Sequence, residues 1–344
     1  MKILVVGAGS IGQRHFSNLC SIGSENQISI VDPAIENCRT LGQQVDRYVA
    51  HFSSLELALE KDNYDVAFVC SPNEFHVTQA IALAQAGCDL FVEKPIALDQ
   101  VEAHSLEPVL ERTGVSLMVG CNLRFHPGVQ KLAEVLNSGR IGRPLFAKAQ
   151  FGHYLPNWRP TVSYADTYSA QRTRGGGILL DSIHEPDYLC WLLGPAISAS
   201  GILSSIGDLL IDVEDSVEYM IWHTDSIYSQ VHADYLRRDK FRGCELVGTE
   251  GTVVWQSKGR RPETIRVDLF DADLDRWETV YRNDRYDPNS QYLDEVSYFL
   301  DCVVQGKRPF NGLEEAIASM RLIDQVRNSS SPRISEKSSH EKPQ

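Results

Sequence analysis

Short apolar runs alternate with amphipathic segments over the first 120 residues of the chain. The apolar runs predict buried parallel strands at 2–6, 28–31, 65–70, 89–93 and 115–120. The segments between and after them carry apolar residues at helical spacing, which predicts helices at about 11–22, 34–43, 53–61, 73–86, 99–113 and 127–138. This alternation is typical of an α/β domain with a doubly wound parallel sheet of the Rossmann type.

The pattern changes after about residue 144, where apolar and polar residues alternate with a period of two. Val217, Tyr219 and Ile221, for example, fall on one face of such a segment. Segments of this kind predict a large, mostly antiparallel open sheet, and therefore a second domain of the α+β class. We expect one helix at about 175–193, closed by Gly194-Pro195, to interrupt this sheet.

Two further helices are predicted near the end of the chain, at about 290–304 and 313–327. We therefore expect a first domain over 1–122 and a second domain over 123–327, with the terminal helices packing back on the first domain. The polar segment 328–344 is predicted to be a disordered tail.

Length, charge and composition argue against several classes of function. The chain has 344 residues, which suits two domains, and its net charge of -13 argues against binding to nucleic acid. It contains no apolar run long enough to span a membrane, and the first apolar run is too short for a signal peptide. The eight cysteines are scattered and form no C-x-x-C pair, so we expect a reducing, cytoplasmic location.

The motif GAGSIG directly follows the first strand. Gly7 allows a tight turn, Gly9 lets the backbone approach a pyrophosphate, and Gly12 allows close packing of helix on strand. The helix that starts near Ser10 and Ile11 directs free N–H groups and its positive dipole end toward the phosphates. The strand before the motif and the helix after it make this a dinucleotide-binding fingerprint.

Asp32 follows the second strand, where such a fingerprint places an acidic residue. Its carboxylate can accept both ribose hydroxyl protons of NAD and would repel the 2′-phosphate of NADP, which favours NAD while leaving NADP open. The alternative is that Asp32 only starts a turn and caps the following helix.

The turn Ser71-Pro72-Asn73 lies at the carboxyl end of the strand at 65–70 and should face the ligand crevice. Asn73 and His76 can reach the nicotinamide ribose from there. The alternatives are that Ser71 or Asn73 caps the next helix and that His76 is a surface histidine.

The motif VEKP, with Glu93, Lys94 and Pro95, follows the strand at 89–93. With this motif in place, the chain resembles the glucose–fructose oxidoreductase / inositol dehydrogenase / MocA family over residues 1–327. The segments that carry the resemblance are GAGSIG, SPNEFH, VEKP, NLRFHP, GGGILLDSIHEPDYLCWLLG and ELVGTEGTVV.

The resemblance implies a Rossmann domain joined to an open sheet, and a dimer or tetramer. It also implies oxidation or reduction of a carbon in a sugar, cyclitol or sugar derivative with NAD(P). Glu93 and Lys94 would border the cofactor, Lys94 would lie beside the reacting carbon, and His184 would match the family's histidine. Asp181 would match its acidic neighbour, although many members place that residue four positions before the histidine and this chain places it three before.

These residue types suit hydride-transfer chemistry. Oxidation of an alcohol needs a base, and His184 has an ordinary pKa near neutrality. Lys94 can stabilise developing oxyanion charge. Asp181 and Asp187 lie three residues to either side of His184, so a continuous helix would put all three on one face, where a substrate would supply polar partners. The alternative is a solvated helix face.

Further substrate contacts are predicted at Arg124, Trp158 and Arg159. Trp158 and Arg159 belong to a loop that also contains Arg172 and Arg174 and that either covers the site as a lid or packs as an ordinary surface loop. No metal site is expected, because the histidines and cysteines lack ligand spacing.

Three functions therefore compete. The first is an NAD-dependent dehydrogenase of a small polyol or sugar. The second is an enzyme of a nucleotide-linked or acidic sugar, which requires Arg159, Arg172 and Arg174 to face the substrate. The third is a non-catalytic NAD-binding sensor. For a homodimer or homotetramer, we expect the apolar face of the second sheet with Ile227, Val231 and Tyr235 to form the interface if nothing else covers it.

Overall fold

The first sheet has six parallel strands. The computed structural model describes residues 1–43, 49–160 and 162–330. The strands are β1 (Lys2–Val6), β2 (Gln27–Val31), β3 (Ala50–Phe52), β4 (Val66–Val69), β5 (Asp89–Glu93) and β6 (Leu117–Gly120). Their order, β3-β2-β1-β4-β5-β6, confirms the predicted doubly wound Rossmann sheet. The sequence analysis missed β3, a three-residue edge strand that is too short to give a periodic signal.

The helices between residues 10 and 137 lie near their predicted positions: α1 (Ser10–Ile22), α2 (Ile35–Gly42), α3 (Leu55–Lys61), α4 (His76–Gln85), α5 (Gln100–His104), α6 (Glu107–Thr113) and α7 (Pro127–Asn137). The single helix expected at 99–113 is instead two short helices, α5 and α6. Pro108 explains the break, because it has no N–H to donate to the carbonyl of His104 one turn earlier.

The second sheet has eight strands: β7 (Pro144–Gly152), β8 (Ala196–Ser204), β9 (Ser216–His223), β10 (Tyr228–Asp234), β11 (Phe241–Gly248), β12 (Gly251–Gly259), β13 (Glu263–Asp271) and β14 (Arg276–Tyr286). Their order is β14-β13-β12-β11-β7-β10-β9-β8. Only β7 and β10 pair in parallel, and the other neighbours are antiparallel. The prediction of a large, mostly antiparallel sheet is confirmed.

The helix expected at 175–193 is also broken. It forms α8 (Ile178–Asp181) and α9 (His184–Leu193). Gly177 has a φ of +111° and delays the start of α8, and Pro186 has no N–H for the carbonyl of Ser182, so one helix cannot run through this point. Asp181 therefore ends one helix and His184 begins the next.

These two helices cover one face of the second sheet. Ile227, Val231 and Tyr235 lie on that covered face and are buried. The condition for an oligomer interface on this face, that nothing else covers it, is therefore not met. The opposite face is open and carries exposed aromatic side chains, including Trp222 and Tyr228.

The last two helices connect the domains. Helix α10 (Ser290–Gln305) packs on α1, and its Phe299 stacks edge-on against Phe68 and Phe91 of the first sheet. Helix α11 (Leu313–Ser329) packs on α5 and β8. Because α11 continues to Ser329, the first residues of the predicted tail are helical, and 331–344 lie outside the described residues. None of the described helices combines the length and apolar composition needed to cross a membrane.

Candidate active site

The glycine motif forms a turn between β1 and α1. Gly7 has a φ of +98°, which favours glycine, and a Cβ on Gly12 would lie 1.8 Å from the Gly7 carbonyl oxygen. A Cβ on Gly9 would meet nothing within 4 Å, so its backbone faces open space. The N–H groups of Ser10 and Ile11 begin α1 beside this space and have no acceptor one turn earlier in that helix. The turn therefore fits a dinucleotide pyrophosphate.

Asp32 is fixed next to this turn. Its Oδ2 accepts a 2.8 Å hydrogen bond from the Ala8 N–H, and its Oδ1 accepts one of 2.9 Å from the Ala34 N–H. The Asn37 side-chain amide also donates to Oδ1, at 3.3 Å, so Oδ2 is the oxygen that keeps a further lone pair for a ribose hydroxyl. Helix α2 begins after Ala34 with no side-chain cap, so Asp32 does not act as its conventional N-cap.

The turn after β4 borders the same crevice. Asn73 is buried and donates from Nδ2 to the Gly175 carbonyl at 3.4 Å, which ties the two domains together. His76 is 1% exposed, and its ring nitrogens lie 2.8 Å from the Pro95 carbonyl oxygen and 2.9 Å from that of Ser71. No ring nitrogen is left for the cofactor contact predicted for His76. Instead, His76 holds the turn after β4, which contains Pro72, against the turn after β5.

Glu93 and Lys94 come at the carboxyl end of β5. The Glu93 Oε1 lies 2.6 Å from Nε2 of the buried His15 in α1, and its Oε2 accepts from the Lys94 N–H at 3.2 Å. Glu93 thus fixes the backbone that carries Lys94 and links it to the helix of the glycine motif.

Lys94 reaches across to the second domain. Its Nζ donates to the Asp181 carbonyl oxygen at 3.5 Å and lies 3.9 Å from the carboxylate Oδ1 of the same residue. The Asp181 carboxylate is 2% exposed and accepts a 2.6 Å hydrogen bond from the hydroxyl of Tyr235. The predicted ammonium and carboxylate groups are therefore neighbours.

His184 follows Asp181 at the start of α9. It is 8% exposed, and its Nδ1 is buried without a hydrogen-bond partner among the described residues. Burial and the positive charges of Lys94 and Arg242 hold the pKa of His184 well below 6.5. Lys94 lies beside Asp181, three residues before His184, and its charge adds to the effect of burial, so that the imidazole is neutral at neutral pH.

Lys94 itself stays charged. Burial opposes its ammonium form, but the phenol of Tyr168 and the carboxylates of Asp181 and Glu93 outweigh burial, so that the pKa of Lys94 is raised above 10.5. Burial and Asp181 raise the pKa values of Tyr168 and Tyr235, so both phenols remain protonated. The site therefore pairs a neutral base with a cation.

The sequence analysis assigned no specific role to the two tyrosines at this centre. Tyr168 lay in a loop of undecided role, and Tyr235 looked like one more apolar residue on a sheet face. A signal was present for Tyr235, since a buried tyrosine hydroxyl needs a polar partner and Asp181 was the predicted buried acid.

Arg124 and Asp187 are not free to bind substrate as predicted. The Arg124 Nε and one terminal nitrogen donate to the two oxygens of Asp187 at 2.9 and 2.8 Å, and both side chains are at most 4% exposed. This bidentate pair joins the segment after β6 to α9, the helix that begins with His184, and so helps to hold that helix in place.

The residues of the loop after β7 fall into two groups with different contacts. Trp158 packs edge-on against Tyr235 with ring centroids 5.3 Å apart, and the Arg159 guanidinium lies 5.2 Å from the Tyr168 ring centroid. Both therefore border the centre. Arg172 instead binds Asp212, and Arg174 lies 3.6 Å from Glu74, so these two arginines anchor the loop elsewhere. Within the described ranges, no group of three histidine, cysteine or acidic side chains is arranged to hold a metal ion.

A Rossmann domain with this glycine turn, joined to an open sheet that brings an acid and a histidine to Lys94, defines the class of nucleotide-dependent oxidoreductases. The chain belongs to the GFO/IDH/MocA oxidoreductase family: residues 1–121 match its NAD-binding Rossmann domain, and residues 129–254 match its C-terminal domain. The resemblance noted from the motifs is thereby confirmed, as is NAD as the cofactor of this domain.

Known proteins are similar over nearly the whole chain. The myo-inositol 2-dehydrogenase of Thermotoga maritima is 29% identical, with 90% of each chain covered. A levoglucosan dehydrogenase in complex with NADH and levoglucosan has a TM-score of 0.82 at 20% identity, covering 96% of this chain and 97% of that one. An Agrobacterium radiobacter oxidoreductase with NAD+, L-tartaric acid and magnesium has a TM-score of 0.82 at 17% identity, with 96% of each chain covered.

Proposed function

We propose that the protein transfers a hydride between NAD and a hydroxyl-bearing carbon of a sugar, cyclitol or sugar derivative. In this proposal His184 is the base, Lys94 is the cation at the reacting oxygen, and Asp181 orients Lys94 and the substrate. One observation carries it: the buried Nδ1 of His184 has no partner among the described residues and lies in the field of the Lys94 ammonium group. The myo-inositol 2-dehydrogenase relative supports the substrate class.

The bound cofactor accepts or supplies the hydride, and the protein handles the proton. His184 is neutral because its pKa is lowered, so it can take the hydroxyl proton during oxidation and become protonated; reduction starts from that protonated form, which returns the proton to the substrate oxygen. Lys94 is charged because its pKa is raised, so it stabilises the developing alkoxide. The two shifts in opposite directions suit two different roles in one step.

Asp32 supports NAD over NADP, because its charge lies beside the glycine turn and would repel a 2′-phosphate. A reducing, cytoplasmic location is supported by the eight free cysteines.

We further infer that two copies associate through the open face of the second sheet. Phe146 and Tyr228 stack there with centroids 5.5 Å apart, and Trp222 remains 42% exposed. Aromatic side chains are enriched in interfaces, and a two-fold dimer is the commonest assembly. Light scattering should therefore give twice the chain mass, and Tyr228→Glu should shift it toward the monomer. A monomeric wild-type protein would contradict this inference.

The function is tested by following NADH absorbance with myo-inositol, scyllo-inositol and glucose, using NAD and NADP separately. Lys94→Ala and His184→Ala should each lower kcat by at least about 100-fold, the usual effect of removing such a group. Binding of NADH, measured by fluorescence, should stay intact. The control is His104→Ala, which removes a half-exposed histidine far from the site and should keep full activity.

Full activity in either active-site variant would refute the assigned roles. Tight NADH binding with no turnover of any polyol, sugar or sugar acid would instead favour the non-catalytic sensor.

A further inference from the structure

A cleft of about 500 Å³ lies between the glycine turn and the second sheet. We call it the cationic cleft, because five of the residues that line it are basic and none is acidic. The basic residues are Arg14, Arg159, Lys240, Arg260 and Arg261. This composition is opposite to that of the whole chain, whose net charge is -13. A local excess of one charge in a cleft focuses the field and attracts ligands of the opposite sign.

Three of these cations have no acidic partner within the described part of the chain. Arg14 lies over the Tyr292 ring at 4.3 Å, and Arg159 lies over the Tyr168 ring at 5.2 Å. Arg260 donates to the carbonyl oxygens of Asn157 and Trp158, the latter at 2.8 Å. Contacts of this kind hold the guanidinium groups in place and leave their charge unbalanced.

The other two cations are only partly balanced. Lys240 donates to Glu263 at 3.3 Å, and Arg261 lies 3.9 Å from Asp287 at the exposed rim. The positive potential also acts on His153 in the cleft wall. Burial, Arg260 and Lys240 together lower the pKa of His153 to about 4.

The cleft is one aromatic layer away from the proposed reaction centre. The Arg159 guanidinium lies 5.2 Å from the Tyr168 ring centroid, and the charges of Asp181 and Lys94 act on the pKa of the Tyr168 phenol. Trp158 lines the cleft and packs on Tyr235, which binds Asp181. A group held in the cleft could therefore belong to the same small molecule as the carbon that reacts beside Lys94.

We propose that the substrate carries a carboxylate or phosphate group and that Arg159 and Arg260 bind this group in the cationic cleft. The inference rests on the proposed function and narrows its substrate class to anionic hydroxyl compounds. Guanidinium groups suit both anions because their planar donor pairs match two oxygens at once. Arg159 and Arg260 carry this role, in place of the arginines at 172 and 174 that the sequence suggested.

The test compares three ligands that share a hydroxyl framework: D-glucuronate, glucose 6-phosphate and glucose. Each is titrated into the NADH complex of the full chain, with heat and NADH fluorescence as readouts. At least one anion should bind about tenfold tighter than glucose, and the stronger of the two identifies the group as carboxylate or phosphate. The preference should weaken as salt is added.

Arg159→Gln and Arg260→Gln should each reduce this preference several-fold and leave NADH affinity within about twofold. Arg159→Lys, which keeps the charge, should retain more of the preference than Arg159→Gln. Arg282→Gln is the matched control, because Arg282 is an exposed arginine on β14 that pairs with Asp284 outside the cleft.

The inference would be overturned if neither anion binds, or if neither binds more tightly than glucose. So would a preference that survives in the Arg159→Gln, Arg260→Gln double variant. Weaker NADH binding with an unchanged preference would assign the cations to the cofactor pyrophosphate and would also overturn it. Turnover of a neutral polyol that depends on Lys94 and His184 would leave the proposed function standing in each of these cases.

Discussion

The hydroxyl of Tyr235 donates a 2.6 Å hydrogen bond to the Asp181 carboxylate. This contact links the residue that directly follows β10 to the last residue of α8. Because Asp181 also lies 3.9 Å from the Lys94 Nζ, Tyr235 indirectly positions a side chain that comes from the first domain. The Asp181 carboxylate is therefore one of the points at which the two domains meet.

Tyr235→Phe should lower kcat by about tenfold. The substitution keeps the buried ring and removes the hydroxyl, so the Asp181 carboxylate loses a hydrogen bond to a charged acceptor, which is generally equivalent to about 1.5–3 kcal/mol. NADH affinity should be unchanged, because no cofactor-facing turn contacts the hydroxyl. Tyr228→Phe is the control, since Tyr228 lies on the open face of the same sheet region. Equal kcat values for the two variants would contradict the positioning role.

The activity should depend on pH through His184. Its pKa is lowered, so the neutral base persists below pH 6.5, and kcat/KM for oxidation should fall only at pH values well below that of a free histidine. Stopped-flow measurement of the hydride step from pH 4 to 9, a range chosen to bracket a free histidine, checks this. A midpoint at or above 6.5 would contradict the assignment of His184 as the base.

The free energy of unfolding should decrease as the pH falls below about 6.5. The unfolded chain binds protons at histidines near pH 6.5, whereas burial keeps the folded His153 neutral to about 4 and also lowers the pKa of His184. The unfolded state thus binds more protons below 6.5, and each such group lowers the free energy of unfolding by up to about 1.4 kcal/mol per pH unit. Urea denaturation at pH 7.5 and 5.5 measures the difference. The His184→Gln variant should show a smaller decrease than wild type.

Breaking the buried pair of Arg124 and Asp187 should destabilise the fold. Asp187→Ala leaves the Arg124 guanidinium buried without its carboxylate, and such truncations generally cost about 3–5 kcal/mol. Arg124→Met combined with Asp187→Leu removes both charges and should be less destabilising than Asp187→Ala. A double variant as unstable as the sum of the single variants would contradict this account. Chemical denaturation provides the comparison.

The sequence predicted the parts of the molecule that local patterns encode. Apolar periodicity placed both sheets, and the spacing of the glycine motif fixed the turn at Gly7, because each glycine meets a local steric requirement. It also selected Lys94, Asp181 and His184, which the structure brings together. The sequence did not predict which group each buried polar side chain contacts.

Those partners come from distant segments. The sequence predicted one helix through Asp181, His184 and Asp187, but the chain breaks between α8 and α9, and Asp187 pairs with Arg124, 63 positions earlier. Arg260 likewise reaches the carbonyl oxygen of Trp158 from 102 positions away. Contacts at such separation depend on how distant strands, helices and loops are placed in the folded chain, and no periodicity in the sequence records that placement.

The cofactor preference should follow the charge of Asp32. Asp32→Asn keeps the size of the side chain and one oxygen for the Ala8 or Ala34 N–H, but it removes the negative charge beside the glycine turn. The ratio of kcat/KM for NAD to kcat/KM for NADP should fall by about tenfold or more, an effect of about 1.4 kcal/mol. Most of the change should come from better use of NADP, because the repulsion of its 2′-phosphate is lost.

Glu36→Gln is the matched control for this change. Glu36 is an exposed carboxylate in the first turn of α2, four residues beyond Asp32, and it pairs with Arg39. Both substitutions remove one negative charge from the same region, so a general change in surface charge would shift the two ratios equally. A specific contact between Asp32 and the ribose predicts that only Asp32→Asn changes the preference. An unchanged ratio in Asp32→Asn would mean that the carboxylate serves the backbone turn alone and does not read the cofactor.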